Sequence, residues 1–297
     1  MKTIGIIGCR GFVGSAVFEG MKHAFNIVGY DTKCKSNLFV HPDNYEEGTH
    51  PWYNDPLSEI VKNVDGPIFI CLPTPMRSDG SSDTSIVEGV ISDLNDKIGA
   101  GYLVVVIKST VPPGTTERMN SLYKHVRVVF NPEFLREATA AEDFKRQDRI
   151  IIGGPHEGTA MVKQMYQIAY PDVPTTKTSS TIAEMIKYVT NCFLATKVSF
   201  ANEIKQICDK LDIDYDKVVE YSTKDKRLGT SHWSVPGPDG HLGFGLTCFP
   251  KDLNALIKTA EGLGVDPKVM KSVWEKNLEV RPEKDWEKLK GRAVTNG

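Results

Sequence analysis

Between Ser179 and Leu211 the chain has neither proline nor glycine. Apolar residues recur there at Ile182, Met185, Ile186, Val189, Phe193, Leu194, Val198, Ile204, Ile207 and Leu211. That spacing keeps one face of a 3.6-residue repeat apolar and predicts one long helix. At about 1.5 Å per residue it would run roughly 50 Å, more than one small domain needs. The expected arrangement is therefore a domain on either side of the helix, with apolar helix surface left for a second subunit. Two helices with a tight break are the alternative.

Before this helix, residues 1 to about 175 alternate short apolar runs with amphipathic stretches, the pattern of a parallel sheet flanked by helices. Strands are predicted at Thr3–Ile7, Asn26–Tyr30, Ile68–Leu72, Leu103–Ile107, Arg127–Phe130 and Arg149–Ile152. The expected fold is α/β: an N-terminal Rossmann-type parallel sheet domain over 1–178, then the long helix and a small all-helical domain over 179–297. Residues 224–248 are rich in Gly, Pro, Ser and Asp and read as a long functional loop. Helices are expected at Lys251–Glu261 and Pro267–Leu278.

With 297 residues, 40% hydrophobic and 25% charged, and a formal net charge of -2, the chain has no basic cluster that would suit nucleic acid. Apolar runs such as Tyr102–Ile107 are too short for a membrane span, and the N-terminus lacks a signal-peptide pattern, so a cytoplasmic protein is expected. Six cysteines without C-x-x-C spacing predict free thiols, and no metal is expected.

The predicted turns fall at strand C-terminal ends, where open α/β sheets bind ligands. Gly8, Gly11 and Gly14 follow the first strand and open a helix, so backbone N–H groups of the turn, including those of Arg10, Phe12 and Val13, can meet a pyrophosphate. The G-x-x-G-x-x-G spacing is one residue longer than the usual dinucleotide fingerprint. Asp31 closes the second strand, where an acidic side chain accepts from ribose hydroxyls and repels a 2′-phosphate, favouring NAD over NADP; Lys33 keeps NADP in view.

Cys248 lies in Gly243-Phe244-Gly245-Leu246-Thr247-Cys248-Phe249-Pro250-Lys251-Asp252. A thiolate can trap an aldehyde, pass through a second oxidation as a thiohemiacetal and leave a thioester for water, so the thiol predicts alcohol-to-acid chemistry. A buried small hydrophobe is the alternative. On the long helix, Glu184, Lys187 and Asn191 share one face, suited either to oxyanion stabilisation or to a solvated face with a Glu184–Lys187 ion pair. Glu133 and Glu137 follow a strand and suit general-base work on water or helix capping. Ser109 and Thr110 end another strand and can hold a water or simply make a turn.

Taken in order, the N-terminal glycines, Pro73-Thr74-Pro75, Lys108–Thr116, Asn131–Glu137, Ala183–Tyr188, Asn191, Arg227-Leu228-Gly229 and Gly243–Asp252 resemble the UDP-glucose and GDP-mannose dehydrogenase family. The resemblance covers most of the chain. It implies oxidation of the C6 alcohol of a nucleotide sugar to a carboxylate with two NAD. It implies Cys248 as nucleophile, Lys187 and Asn191 as oxyanion stabilisers, Asp252 and Thr110 as the pair ordering a water, and Glu133 as base for thioester hydrolysis. It places cofactor contacts at Pro73, Thr74, Ser109, Thr110 and Glu137, and substrate contacts at Phe134, Leu135, Arg136, Glu137, Phe244 and Gly245. Arg227 resembles a residue that reaches the sugar site of the partner in a homodimer. UDP-glucose fits best, ahead of GDP-mannose and UDP-N-acetylhexosamines. Full-length members continue into a second Rossmann-like domain that grips the nucleotide, so weak nucleotide binding is expected of these 297 residues.

Leu246-Thr247 departs from the family's more frequent Gly-Ser or Gly-aromatic before the cysteine. Two other readings compete. A nucleotide-sugar epimerase or dehydratase shares the glycine spacing but needs Tyr-x-x-x-Lys, and none of the ten tyrosines has a lysine four residues later. A catalytically silent NAD-binding or dimerisation module is the other.

Overall fold

A computed structural model describes residues 1–32, 38–40, 55–136 and 139–296. They form two compact units, Met1–Thr74 with Thr84–Lys187, and Pro75–Asp83 with Tyr188–Gly297. The division differs from one placed at residue 178 in two ways: it falls inside the long helix, and the short excursion Pro75–Asp83 joins the second unit.

The first unit holds one sheet whose eight strands, among the described residues, run in the order β3-β2-β1-β4-β5-β6-β7-β8. These are β1 (Thr3–Ile7), β2 (Asn26–Tyr30), β3 (Leu38–Val40), β4 (Ile68–Ile70), β5 (Leu103–Ile107), β6 (Val126–Phe130), β7 (Ile150–Gly153) and β8 (Thr175–Thr178). β2, β1, β4, β5 and β6 are mutually parallel, so their C-terminal ends line one edge, while β3 and β7 run antiparallel to β2 and β6. Chain order reverses between β1 and β4, which is where open sheets of this kind leave a crevice.

Strand periodicity decides the packing. Ile4, Ile6, Phe69, Val104, Val106 and Val129 point to one face, covered by α1 (Phe12–Met21), α5 (Ala140–Lys145) and α6 (His156–Ala169). Ile7, Ile68, Ile70, Val105, Ile107 and Val128 point to the other, covered by α2 (Pro56–Asn63), α3 (Ser85–Lys97) and α4 (Thr115–Leu122). These side chains are buried on both faces, each contributing about 1.5–3 kcal/mol, and that is why the central strands read as continuous apolar runs.

The long helix is a single element, α7 (Ser180–Leu211). In the second unit its later turns pack through Tyr188, Cys192 and Ala195 against Leu253, Ala255 and Ile257 of α9 (Cys248–Gly262) and Val273 of α10 (Lys268–Val280). α8 (Tyr215–Ser222) follows α7. The segment from there to α9 has no helix or strand, as the glycine and proline content predicted. Met76 pairs through its backbone with Ala293 and Thr295, fastening the 75–83 excursion to the end of this unit. Among the described residues no helix is long and apolar enough to cross a membrane.

Candidate functional site

In the first unit the glycine turn is built by close approach. Gly8 has φ +85°, and a Cβ there would lie 2.3 Å from the Cys71 carbonyl oxygen at the end of β4. A Cβ on Gly14 would lie 2.0 Å from the Gly8 carbonyl oxygen, so α1 can start this tightly only with glycine at both positions. Gly11 caps α1 with no side chain bonding the first-turn N–H groups, and Phe12 and Val13 are the first helical residues. The Asp31 carboxylate is buried at the end of β2 and accepts from the Arg10 backbone N–H at 3.0 Å, locking the added residue of the turn to the neighbouring strand. This cradle fits a dinucleotide pyrophosphate: a helix N-terminus open to an anion, a turn without side chains, and an acidic residue one strand over. Lys33 and Glu137 lie outside the described residues.

The ends of β4 and β5 are stitched together. Ser109 Oγ donates to the Leu72 carbonyl at 2.7 Å and accepts from the Leu72 N–H at 3.0 Å, and Thr74 Oγ1 donates to the Thr110 carbonyl at 2.8 Å. Pro73, Thr74, Ser109 and Thr110 therefore share one strand edge, with Ser109 spending its hydroxyl on backbone.

After β6, Asn131 is a buried hub. It donates to the Ile151 carbonyl and accepts from Lys108 Nζ at 3.0 Å and from the Tyr166 hydroxyl at 2.6 Å. Next to it Glu133 and Lys187 form a buried ion pair: Lys187 Nζ lies 2.9 Å from Glu133 Oε1 and 2.6 Å from the Glu133 carbonyl oxygen. Glu133 Oε2 accepts from the Leu135 N–H at 2.7 Å. Burial alone would raise the Glu133 pKa, but the Lys187 charge and these hydrogen bonds outweigh it and hold the carboxyl below its ordinary value. Phe134 lies under Arg149, whose guanidinium is 4.4 Å from the ring centroid. Leu135 is half-buried, and Arg136 is exposed and paired with Asp143 at 2.6 Å.

The polar stripe on α7 is not a solvated face. Glu184, Lys187 and Asn191 are 0%, 3% and 7% exposed, and the Glu184–Lys187 ion pair is replaced by more distant partners. Glu184 accepts from the backbone N–H groups of Gly114 at 2.6 Å and Thr116 at 2.8 Å, capping α4.

In the second unit Cys248 is the first residue of α9, a turn earlier than the helix predicted from Lys251, with Pro250 fitting the first turn because its missing N–H is not needed there. Thr247 Oγ1 is 3.6 Å from Cys248 Sγ. Asp252 lies one turn on, on the same helix face, and is 1% exposed. Its Oδ2 accepts from Asn191 Nδ2 at 2.6 Å, and its Oδ1 pairs with Lys251 Nζ at 2.5 Å. Cys248 is half-buried, whereas the other described cysteines are fully buried. Burial pushes the Cys71 thiol up to about 12, and burial, then the Asp252 charge, pushes Cys192 up. Phe244 is buried against Phe249 and Trp274, Gly245 sits in the turn leading to the cysteine, and Arg227 is exposed beside Asp225 at 2.5 Å.

Sequence reasoning overlooked Asn277, Arg281 and Asp285, which bind the turn before Cys248. Their recurrence every four residues was the available signal. Lys251, three residues after Cys248 and placed by the sequence where it could favour the thiolate, pairs in the structure with the Asp252 carboxylate.

Residues 2–170 match the NAD binding domain of the UDP-glucose/GDP-mannose dehydrogenase family, and residues 181–279 match its central domain. The chain is similar to two Bacillus subtilis proteins, UDP-glucose 6-dehydrogenase TuaD (34% identical over 95% of this chain) and UDP-glucose 6-dehydrogenase YwqF (38% over 93%). It spans 64% and 66% of their lengths, less than two thirds. Among solved structures it is similar to a UDP-glucose dehydrogenase from Pyrobaculum islandicum, with a TM-score of 0.80 and 33% identity over 97% of this chain and 70% of that one. A GDP-mannose dehydrogenase from Pseudomonas aeruginosa follows with a TM-score of 0.66 and 26% identity over 97% of this chain and 71% of that one. A glycine cradle, a buried lysine–glutamate pair and a half-buried cysteine opening a helix thus occur in a chain that belongs to the UDP-glucose/GDP-mannose dehydrogenase family and carries its NAD-binding and central domains.

Proposed function

We propose that the chain oxidises the C6 alcohol of a nucleotide sugar to the carboxylate, with UDP-glucose as substrate and UDP-glucuronate as product. The observation that carries this reading is Cys248, half-exposed at the start of α9 with Asp252 one turn on and Asn191 and Lys251 on the Asp252 carboxylate. A single oxidation to an aldehyde has no use for a thiol, whereas a thiol gives an oxidation carried to the acid a covalent route. UDP-glucose is favoured because it is the sugar named for the similar Bacillus subtilis proteins and for the Pyrobaculum islandicum structure.

NAD, when bound, would supply the hydride acceptor, one NAD for each oxidation. The chain's own residues handle protons and charge. Lys187 offers its ammonium, and Asn191 its amide N–H, to the alkoxide left as the C6 hydroxyl gives its proton to water, and that alkoxide becomes the aldehyde as C6 loses hydride. Cys248 then adds to the aldehyde carbon, its sulfur favoured as an anion by the helix N-terminus. The thiohemiacetal loses a second hydride and a proton to become a thioester. Glu133, kept ionised by Lys187, takes a proton from the water that cleaves it, with Thr110 and Asp252 ordering that water. Cleavage returns the thiol and releases the acid. The cradle from Gly8 to Val13 with Asp31 holds the dinucleotide, and Phe134 to Arg136 with Phe244 and Gly245 line the sugar nucleotide. The enzyme works as a homodimer through α7, with Arg227 reaching the partner's sugar.

The test is stoichiometric. With limiting UDP-glucose and excess NAD, two NADH should form per sugar, and Cys248→Ala should abolish the second equivalent. No NADH with UDP-glucose or with GDP-mannose would discard the reading.

A further inference from the structure

The turn that delivers the chain into Cys248 is held from outside itself. Leu246, two residues before the cysteine, has φ +58°, a left-handed conformation that costs a residue with a Cβ and is free to glycine. Its side chain is 45% exposed, so packing does not offset that cost. Its N–H donates to Asp285 Oδ2 at 3.0 Å. Asp285 is itself gripped: Arg281 Nε donates to its Oδ1 at 2.7 Å. Arg281 is 2% exposed and anchored by Asp239 at 2.8 Å and the Leu242 carbonyl at 3.3 Å. One turn back on α10, Asn277 clasps Phe244, accepting from its N–H at 2.7 Å and donating to its carbonyl at 2.9 Å. The fit leaves no room: a Cβ on Gly245 would lie 2.3 Å from Asp285 Oδ1, and one on Gly243 would lie 2.4 Å from Asn277 Oδ1.

We propose that Asp285, oriented by Arg281, is a positioning residue that locks the left-handed turn at Leu246 and so holds Cys248 at the first position of α9. The proposal rests on the reading of Cys248 as the nucleophile. Without the Asp285 carboxylate the Leu246 N–H loses the acceptor that holds it at positive φ, and relaxation to an ordinary φ rotates Thr247 and Cys248 away from the helix start, where the terminal N–H groups favour a sulfur anion.

The experiment measures alkylation of Cys248 by iodoacetamide against pH, followed at the Cys248 peptide by mass spectrometry, with melting temperature recorded in parallel. Asp285→Ala should slow alkylation at pH 7 about tenfold. Adding Leu246→Gly should restore at least about threefold of it, because glycine holds φ > 0 without help. Asp285→Asn has one acceptor oxygen for the two donors that Asp285 satisfies, so it should alkylate more slowly than the parent but faster than the alanine variant, and it gives a reading even where the alanine variant does not fold. Unchanged alkylation in Asp285→Ala, a loss that Leu246→Gly leaves unrepaired, or an asparagine variant as slow as the alanine one would each overturn the proposal. Alkylation needs neither NAD nor sugar, so slowed and rescued alkylation in a chain that makes no NADH would uphold the positioning role and discard the reaction instead.

Discussion

Lys187 and Glu133 place opposite charges 2.9 Å apart in a site where their side chains are only 4% and 7% exposed. Removing one partner leaves the other buried without its nearest counter-charge, which typically costs about 3–5 kcal/mol, whereas removing both charges together costs far less. Lys187→Met should therefore lower urea stability at pH 7 by about 3 kcal/mol, and Lys187→Met with Glu133→Gln should recover much of that loss while staying inactive. The pH dependence has a defined sign. The Glu133 carboxyl is held below its ordinary value of 4.5, so the pair's contribution is whole above that value and is lost as pH falls through the lower folded value. Parent and Lys187→Met stabilities should converge on acidification below about pH 4.5; a constant gap from pH 7 to pH 3 would contradict the assignment. Sequence showed that Lys187 sat on an apolar helix, but not what it faced, because Glu133 is 54 residues away and no local spacing encodes such a pairing.

At the scale of elements, α4 depends on a carboxylate supplied by α7. Gly114, at φ +94°, turns the chain into α4 and has no side chain to cap it; Glu184 accepts from Gly114 and Thr116 instead. Glu184→Gln can accept only one of those bonds and should cost about 1 kcal/mol, and Glu184→Ala, which orphans two donors, about 2 kcal/mol or more. Hydrogen exchange at the Gly114 and Thr116 amides should quicken in both variants, and protection equal to the parent would show that another group caps the helix. The same element shows what sequence could and could not reveal. The central strands were legible because Val104–Ile107 and Val128–Phe130 are buried on both faces and must be apolar throughout. β8, Thr-Thr-Lys-Thr, lies at the sheet edge with two of its residues exposed and carries no apolar run; β3 is three residues long. The start of α9 was hidden because Phe249-Pro250 after a glycine-rich loop reads as more loop, although proline is tolerated in a first helical turn. The turn before Cys248 was legible as glycine-rich, but its clasp by Asn277, Arg281 and Asp285 was not, since those residues come from the next helix and its end.

For the whole molecule, the apolar periodicity of α7 exceeds what its own chain covers. Val189, Phe193, Phe200 and Ile207 follow one another at intervals of four and seven residues, which keeps them on one helix face, and they are 56%, 64%, 54% and 49% exposed. Their burial against the same face of a second copy would form a self-complementary two-fold interface, each fully buried large apolar side chain contributing about 1.5–3 kcal/mol. Phe193→Asp with Phe200→Asp should accordingly weaken self-association by at least about a hundredfold, since two charged groups replace two large apolar ones on each copy. Sedimentation equilibrium across a concentration series reads this directly, as a parent that stays dimeric beside a variant that becomes monomeric, while unchanged circular dichroism shows that α7 still forms. The 88% exposed Arg227 side chain is the one proposed to reach the partner's sugar, which lets assembly and chemistry be tested together. If it serves the partner's sugar, the monomeric variant should show the same rise in KM for UDP-glucose as Arg227→Ala, and joining the two changes should raise KM no further, because both remove one contact. Additive effects would separate Arg227 from the interface and confine its role to its own chain.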